Sequence, residues 1–178
     1  MSELHPLIEQ NRHFLVQGIQ FLEKIDDHQF NTSDHALFNS SIGKHMRHVL
    51  DHYRSFVGSI NGNIDYDARE RDEKLETNRS HAIVVCRDMY NALGRLTFPA
   101  GGIESSVQIR CNDTGDGEKL WTQSTFTREL QFLSGHTVHH YALISMILRI
   151  LDIEVPDEFG VAPSTLKFEN DKGRQCAQ

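Results

Sequence analysis

Two stretches decide the fold: Ser41-Ile-Gly-Lys-His-Met-Arg-His-Val-Leu-Asp-His-Tyr53 and Gly135-His-Thr-Val-His-His-Tyr-Ala-Leu-Ile144. In the first, Ile42, Met46, Val49 and Tyr53 continue to Phe56 and Ile60 in a four-three alternation, the spacing of one helical face packed on other helices. Ser40 or Ser41 is placed to cap that helix. The second stretch belongs to the most apolar segment, about Thr127 to Leu151, with Leu130, Leu133, Tyr141, Ile144, Leu148 and Leu151 as its stripe. Upstream, Leu7, Phe14 and Phe21, flanked by Ile8, Leu15 and Leu22, predict a helix from Pro6 to Ile25. Ala82, Cys86, Met89, Leu93 and Leu96 predict a third helix, stopped at Pro99-Ala-Gly-Gly. Two alternating runs, Ser106 to Cys111 and Lys119 to Ser124, flank Asp113-Thr-Gly-Asp-Gly and read as a β-hairpin. The expectation is an all-α four-helix bundle with a small β-hairpin insertion between the third and fourth helices.

The remaining segments are read as connections. Asp26 to Asn39 reads as a long loop, and Asp65 to Asp72 as a charged, solvated stretch. From Pro156 onward, Phe159, Pro163 and Phe168 are expected to lie across the bundle. Residues 1–170 form the expected single domain, with 171–178 as a disordered tail.

Composition removes several classes of function. A chain of 178 residues with 25 acidic and 18 basic side chains carries −7 at pH 7, and its Lys and Arg are not clustered. Nucleic acid is therefore not an expected partner. No segment approaches the ~20 apolar residues of a membrane span. Met1 to Leu7 has neither the basic start nor the apolar run of a signal peptide. Cys86, Cys111 and Cys176 show no metal-type spacing, and a reducing cytoplasm is the expected location. A homodimer is expected from the apolar helix edges.

Histidine is the abnormal count, at 11 residues. Six fall in two helical groups: His45, His48 and His52, then His136, His139 and His140. Imidazoles at i and i+4 share a helical face and can converge on one ion, with a third from a facing helix. Three neutral imidazoles bind zinc, nickel, iron or copper and leave coordination positions open. On the later helix, His140 lies roughly 45° from the apolar stripe, His136 about 85° and His139 about 145°, so the first two flank the seam. On the earlier helix the wheel favours His45 and His52 over His48 and makes no choice of ligand. His5, His13, His28, His35 and His81 read as ordinary surface or packing residues.

Sharper motifs fail on single residues. His136-Thr-Val-His-His has Thr137 where a zinc protease needs its glutamate. Asn112-Asp-Thr-Gly-Asp-Gly offers Thr114 and Gln123 where a calcium loop needs carboxylates, and reads as a hairpin turn. No phosphate-binding glycine loop and no Gly-x-Ser-x-Gly elbow is present.

The two opening stretches resemble the second- and fourth-helix motifs of the DinB-like superfamily, and Glu158-Phe-Gly-Val-Ala-Pro-Ser-Thr resembles an ending of one of its branches. The resemblance spans about Pro6 to Phe168. It implies a four-helix bundle with a three-histidine site for a divalent metal, whose ligands fall on His48, His136 and His140. Zinc or nickel is the expected ion, with iron or manganese behind them. His45 and His52 depart from the family pattern and are expected to orient ligands through hydrogen bonds, as is Asp51 for His48. Characterised branches use such a metal with low-molecular-weight thiols. A metal-dependent thiol S-transferase or hydrolase acting on a small molecule is thus one expectation, and a non-catalytic metal-binding or dimerisation module is the other. Arg47, Asp51 and Tyr141 are the acid–base candidates by proximity in sequence, Arg128 is the candidate anion-binding arginine, and the hairpin near Trp121 and the 26–39 loop are the expected pocket walls.

Overall fold

The computed structural model describes residues 5–33, 40–59, 62–111 and 120–175. In chain order these form α1 (Pro6–Lys24), α2 (Asp27–Asn31), α3 (Ile42–Gly58), β1 (Asn63–Asp65), α4 (Glu73–Thr77), α5 (Arg79–Leu93), a 3₁₀ turn (Gly102–Glu104), β2 (Ser106–Arg110), β3 (Thr122–Thr125), α6 (Phe126–Ile150) and α7 (Pro163–Gln175). The described residues thus form an all-α protein with a small open sheet, and they contain seven α-helices rather than a simple four-helix bundle.

The long helices begin where side chains satisfy free backbone N–H groups. Ser41 accepts from Lys44 N at the start of α3, Asn78 from His81 N at α5, and Thr125 from Arg128 N at α6. Each such cap is worth ~1 kcal/mol. α1 packs on α5 and α6, and α3 packs on α4, α5 and α6. Leu15, Leu22, Phe30, Ile42, Met46, Leu50, Phe56, Leu130, Leu133 and Leu148 are fully buried in the core between them. Burying each side chain of that size contributes about 1.5–3 kcal/mol.

The departures from the sequence reading have local causes. The 26–39 stretch is not all loop: Asp26 and Gln29 form a reciprocal capping box that starts α2 and seats Phe30 in the core. The expected third helix is α5, set apart from the short α4 before it because Asn78 leaves helical geometry to cap α5, and Gly94 closes it before Leu96. α3 can lie against α4 because Gly43 has no side chain; a Cβ there would strike the Glu76 carbonyl.

The expected hairpin is present as β2 and β3, paired antiparallel from Ser106↔Thr125 to Ile109↔Thr122. Its turn, Asp113-Thr-Gly-Asp-Gly, lies outside the described residues. A third strand, β1, pairs parallel with β2 at Asn63↔Gln108 and Asp65↔Arg110. β3 runs straight into α6, so the sheet fixes the start of the helix that carries His136 and His140.

After α6 the chain turns back. Phe159 stacks on Tyr141 at 4.7 Å and packs edge-on against Phe21 at 4.9 Å. Gly160 follows with φ of 75°, where any Cβ would collide with the Tyr141–Ala142 backbone. Phe168, expected to lie across the bundle, is exposed, and α7 continues to Gln175, into the stretch read as a tail. Among the described residues, no helix is long and apolar enough to cross a membrane.

Candidate metal centre

α3 presents His45, His48 and His52 at successive turns beside its core face. α6 packs on α3 and presents His136 and His140 one turn apart. The rings of His48, His136 and His140 form a nearly equilateral triangle. Their centroids are 4.9 Å apart for His48–His136, 4.7 Å for His48–His140 and 4.6 Å for His136–His140. One ring nitrogen from each lies within 4.8 Å of the others, and all three residues are half-buried. This cluster is capable of coordinating a metal ion.

Two properties of the cluster fit that chemistry. The first is protonation state. Burial lowers the pKa of His48 to about 4, with His52, Arg69, Arg47 and His45 adding repulsion. Burial, then neighbouring histidines, lower His136 to about 2 and His140 to about 3. All three are neutral near pH 7 and present a free lone pair, as a metal ligand must. The second is an unmet need. His136 Nδ1 is buried and has no hydrogen-bond partner. A buried polar atom left so is uncommon in a folded protein.

His52 is as close as any of the three, with its ring 4.1 Å from that of His136. Its nitrogens, however, are already engaged. Nδ1–H donates to the His48 carbonyl at 2.7 Å, and Arg69 Nη1 donates to Nε2 at 3.3 Å. Burial holds its pKa near 4, and the residue is 3% exposed. His52 therefore supports the α3 side of the cluster and has no lone pair to spare. His45 lies beside His140, with the two Nδ1 atoms 3.0 Å apart, so one ring must donate and the other accept. His139 points away from the seam, as the wheel predicts, and is exposed.

The walls differ from expectation. Asp65 to Asp72 is not simply solvated. Tyr66 is fully buried, stacked on His52 at 5.3 Å and against Phe132 at 5.2 Å. Arg69, from the same segment, also donates to the Tyr66 carbonyl. Phe132 in turn stacks on His136 at 5.5 Å. Sequence reasoning missed both Tyr66 and Arg69; the one available signal was an aromatic residue inside an otherwise charged run. Trp121, expected as a wall, is exposed. An open hollow of ≈ 460 Å³ is lined by His136, His139, Phe132 and Arg128, whose guanidinium lies 5.7 Å above the Phe132 ring.

The acid–base candidates are placed elsewhere. Arg47 pairs with Glu76 at 3.0 Å. The Tyr141 hydroxyl donates to the Phe14 carbonyl at 2.9 Å in the core. Asp51 lines a different cleft, on the side of Arg54 and Ser55.

No family model matches the chain. FK506-binding protein 5 of Rhizopus delemar is similar to it, with 33% identity over 107 residues. That match covers 58% of this chain, and the chain spans only 27% of the length of the fungal protein.

Proposed function

We propose that this chain is a DinB-like protein, one domain over residues 1–170 built on the bundle of α1, α3, α5 and α6, and that it holds a divalent metal ion on His48, His136 and His140. Zinc or nickel is the ion proposed, with iron or manganese as the next candidates, since imidazole donors suit zinc, nickel and iron better than calcium or magnesium. The observation that carries the reading is the convergence of three neutral imidazoles from two helices, one of them with a buried, unpartnered nitrogen. His52 and Arg69 would hold His48 and His136 in place, and His45 would fix the tautomer of His140.

Three protein ligands leave coordination positions open, and a metal there lowers the pKa of a bound thiol or water. A thiol S-transferase or hydrolase reading is favoured by one further feature: Arg128 lines the same hollow as His136 and could receive the carboxylate of a low-molecular-weight thiol. The non-catalytic reading is favoured by the displacement of Arg47, Asp51 and Tyr141 from the cluster. The name of the fungal relative supplies no ligand for this site, because the match covers 27% of that protein.

Metal analysis of untagged, chelator-free protein tests the proposal. About one equivalent of metal in the wild type, lost in His48→Ala, His136→Ala and His140→Ala with the fold intact, is the expected result. Failure of the wild type to take up any added divalent ion would overturn it. A thiolate-to-metal absorption band on adding dithiothreitol to the cobalt- or nickel-loaded protein would separate the thiol reading from a closed structural site.

A further inference from the structure

α3 has a second polar face. Asp51, Arg54, Ser55 and Gly58 follow the i, i+3, i+4, i+7 spacing and, together with Arg69 and Glu70, line a cleft of ≈ 540 Å³. Two of its charged groups are already committed. Arg54 pairs with Asp72 at 3.1 Å. Asp65 accepts from the N–H groups of Asp67 and Ala68 and from Arg110. Two of its buried atoms have no partner. Asp51 is 3% exposed, yet its Oδ1 has no hydrogen-bond partner. Arg69 Nε is buried and has none either.

One of these atoms is an anionic acceptor and the other a cationic donor, and they belong to side chains that line the same cleft without bonding to each other. A buried carboxylate oxygen without a hydrogen bond is costly; the nearby Arg47, Arg54 and Arg69 favour its charge, but none of them bonds to Oδ1. The charges also restrict what fits. Arg54 and Arg69 repel a bare cation, and Asp51 is not part of any metal-capable cluster among the described residues. Asp51, Asp65 and Glu70 repel a phosphate or a simple anion. A molecule that carries a positive donor and a negative acceptor a few bonds apart meets both demands.

We propose that this cleft is a binding site for a small zwitterion of the free α-amino acid class, its ammonium on Asp51 and its carboxylate on Arg69. The site is separate from the histidine cluster and does not depend on whether that cluster holds a metal. The two are joined by one side chain, because Arg69 also donates to His52.

Saturation-transfer NMR tests this, with the common L-amino acids offered singly at millimolar concentration, and the amide and N-acetyl derivative of each one that binds. At least one free amino acid is expected to bind, with both derivatives weaker by about tenfold or more, as loss of one charged hydrogen bond predicts. Backbone amides around Asp51 and Arg69 should shift on binding. Asp51→Asn should abolish binding while unfolding at the wild-type temperature or above, since it removes an unpaired buried charge. Gly58→Leu provides an independent variant: a Cβ there meets nothing within 4 Å, and a leucine at this cleft-lining position should also abolish binding. The proposal is overturned if no amino acid binds the wild type, if the derivatives bind as well as the free acid, or if Gly58→Leu binds like the wild type.

Discussion

Tyr53 and Thr137 stand next in sequence to His52 and His136, on the same two helices, and the two pairs meet opposite fates. The Tyr53 hydroxyl donates to Asn11 Oδ1 at 2.8 Å and accepts from Thr137 Oγ1 at 3.1 Å. Asn11 Nδ2 donates to the carbonyls of Leu7 and Leu130. All three residues are fully buried, and every polar group in this network has a partner. One position round each helix, His52 and His136 are packed ring against ring; His52 is committed to the His48 carbonyl and Arg69, and His136 Nδ1 has no partner. A satisfied buried network explains itself as structure. An unsatisfied one at the rim of the same core needs something from outside the chain, and the metal reading rests on that difference.

The largest expected effect breaks the comparison at its sharpest point. His136→Ala should reduce bound metal from about one equivalent to near none, whereas Thr137→Val, one residue along, should leave the metal content unchanged; elemental analysis of both variants is the check. Next comes the structural side. Tyr53→Phe removes the donor to Asn11 and the acceptor of Thr137, and should cost about 1–3 kcal/mol in denaturant unfolding without loss of metal. Metal loss in that variant would mean that the two networks are one.

A pH scan of the metal-stripped protein sharpens the same contrast. In the unfolded chain the histidines protonate near 6.5. In the folded chain burial, joined by repulsion from neighbouring rings for His48, His140 and His136 and from Arg69 for His52, holds His48 and His52 near 4, His140 near 3 and His136 near 2. Above pH 6.5 neither state carries these protons and stability is at its full value. As pH falls from 6.5 toward 4, the unfolded chain takes up protons that the fold refuses, so stability falls across that window. Tyr53→Phe should leave this slope as it is, because burial keeps the phenol's pKa well above the usual range. His48→Asn should flatten it; an unchanged slope in that variant would contradict the depressed pKa. The smallest effect belongs to His139→Ala. That ring is exposed, and its loss should change stability by no more than about 0.5 kcal/mol and metal content not at all.

What the sequence made legible follows from how far each signal reaches along the chain. The long helices announce themselves through repeating apolar positions: α1, α3 and α6 begin and end within a residue or two of their expected bounds. α2 and α4, of five residues each, are too short to show a period and exist because of caps and packing. β1 has three residues, Asn63-Ile64-Asp65, and its pairing with β2 crosses more than forty positions, so no local pattern announces it. At the site, His136 and His140 follow from the wheel on α6. On α3 the wheel favours His45 and His52, because it ranks by nearness to the apolar stripe, and burial does follow that ranking for His52. Availability for a ligand runs the other way. The more buried ring is bound up with Arg69 and the His48 carbonyl, and His48, further round, keeps its lone pair toward the facing helix. That distinction depends on Arg69, seventeen residues from His52 in a charged segment, and no helical wheel contains it.

X-ray absorption on the metal-loaded protein reads the coordination shell itself. Three imidazole nitrogens at ~2.0–2.1 Å are expected, with the remaining positions taken by solvent and replaceable by an added thiol. Four or more imidazoles, with His52 drawn in and no open position, or a shell of carboxylates or protein thiolates, would contradict the three-histidine site.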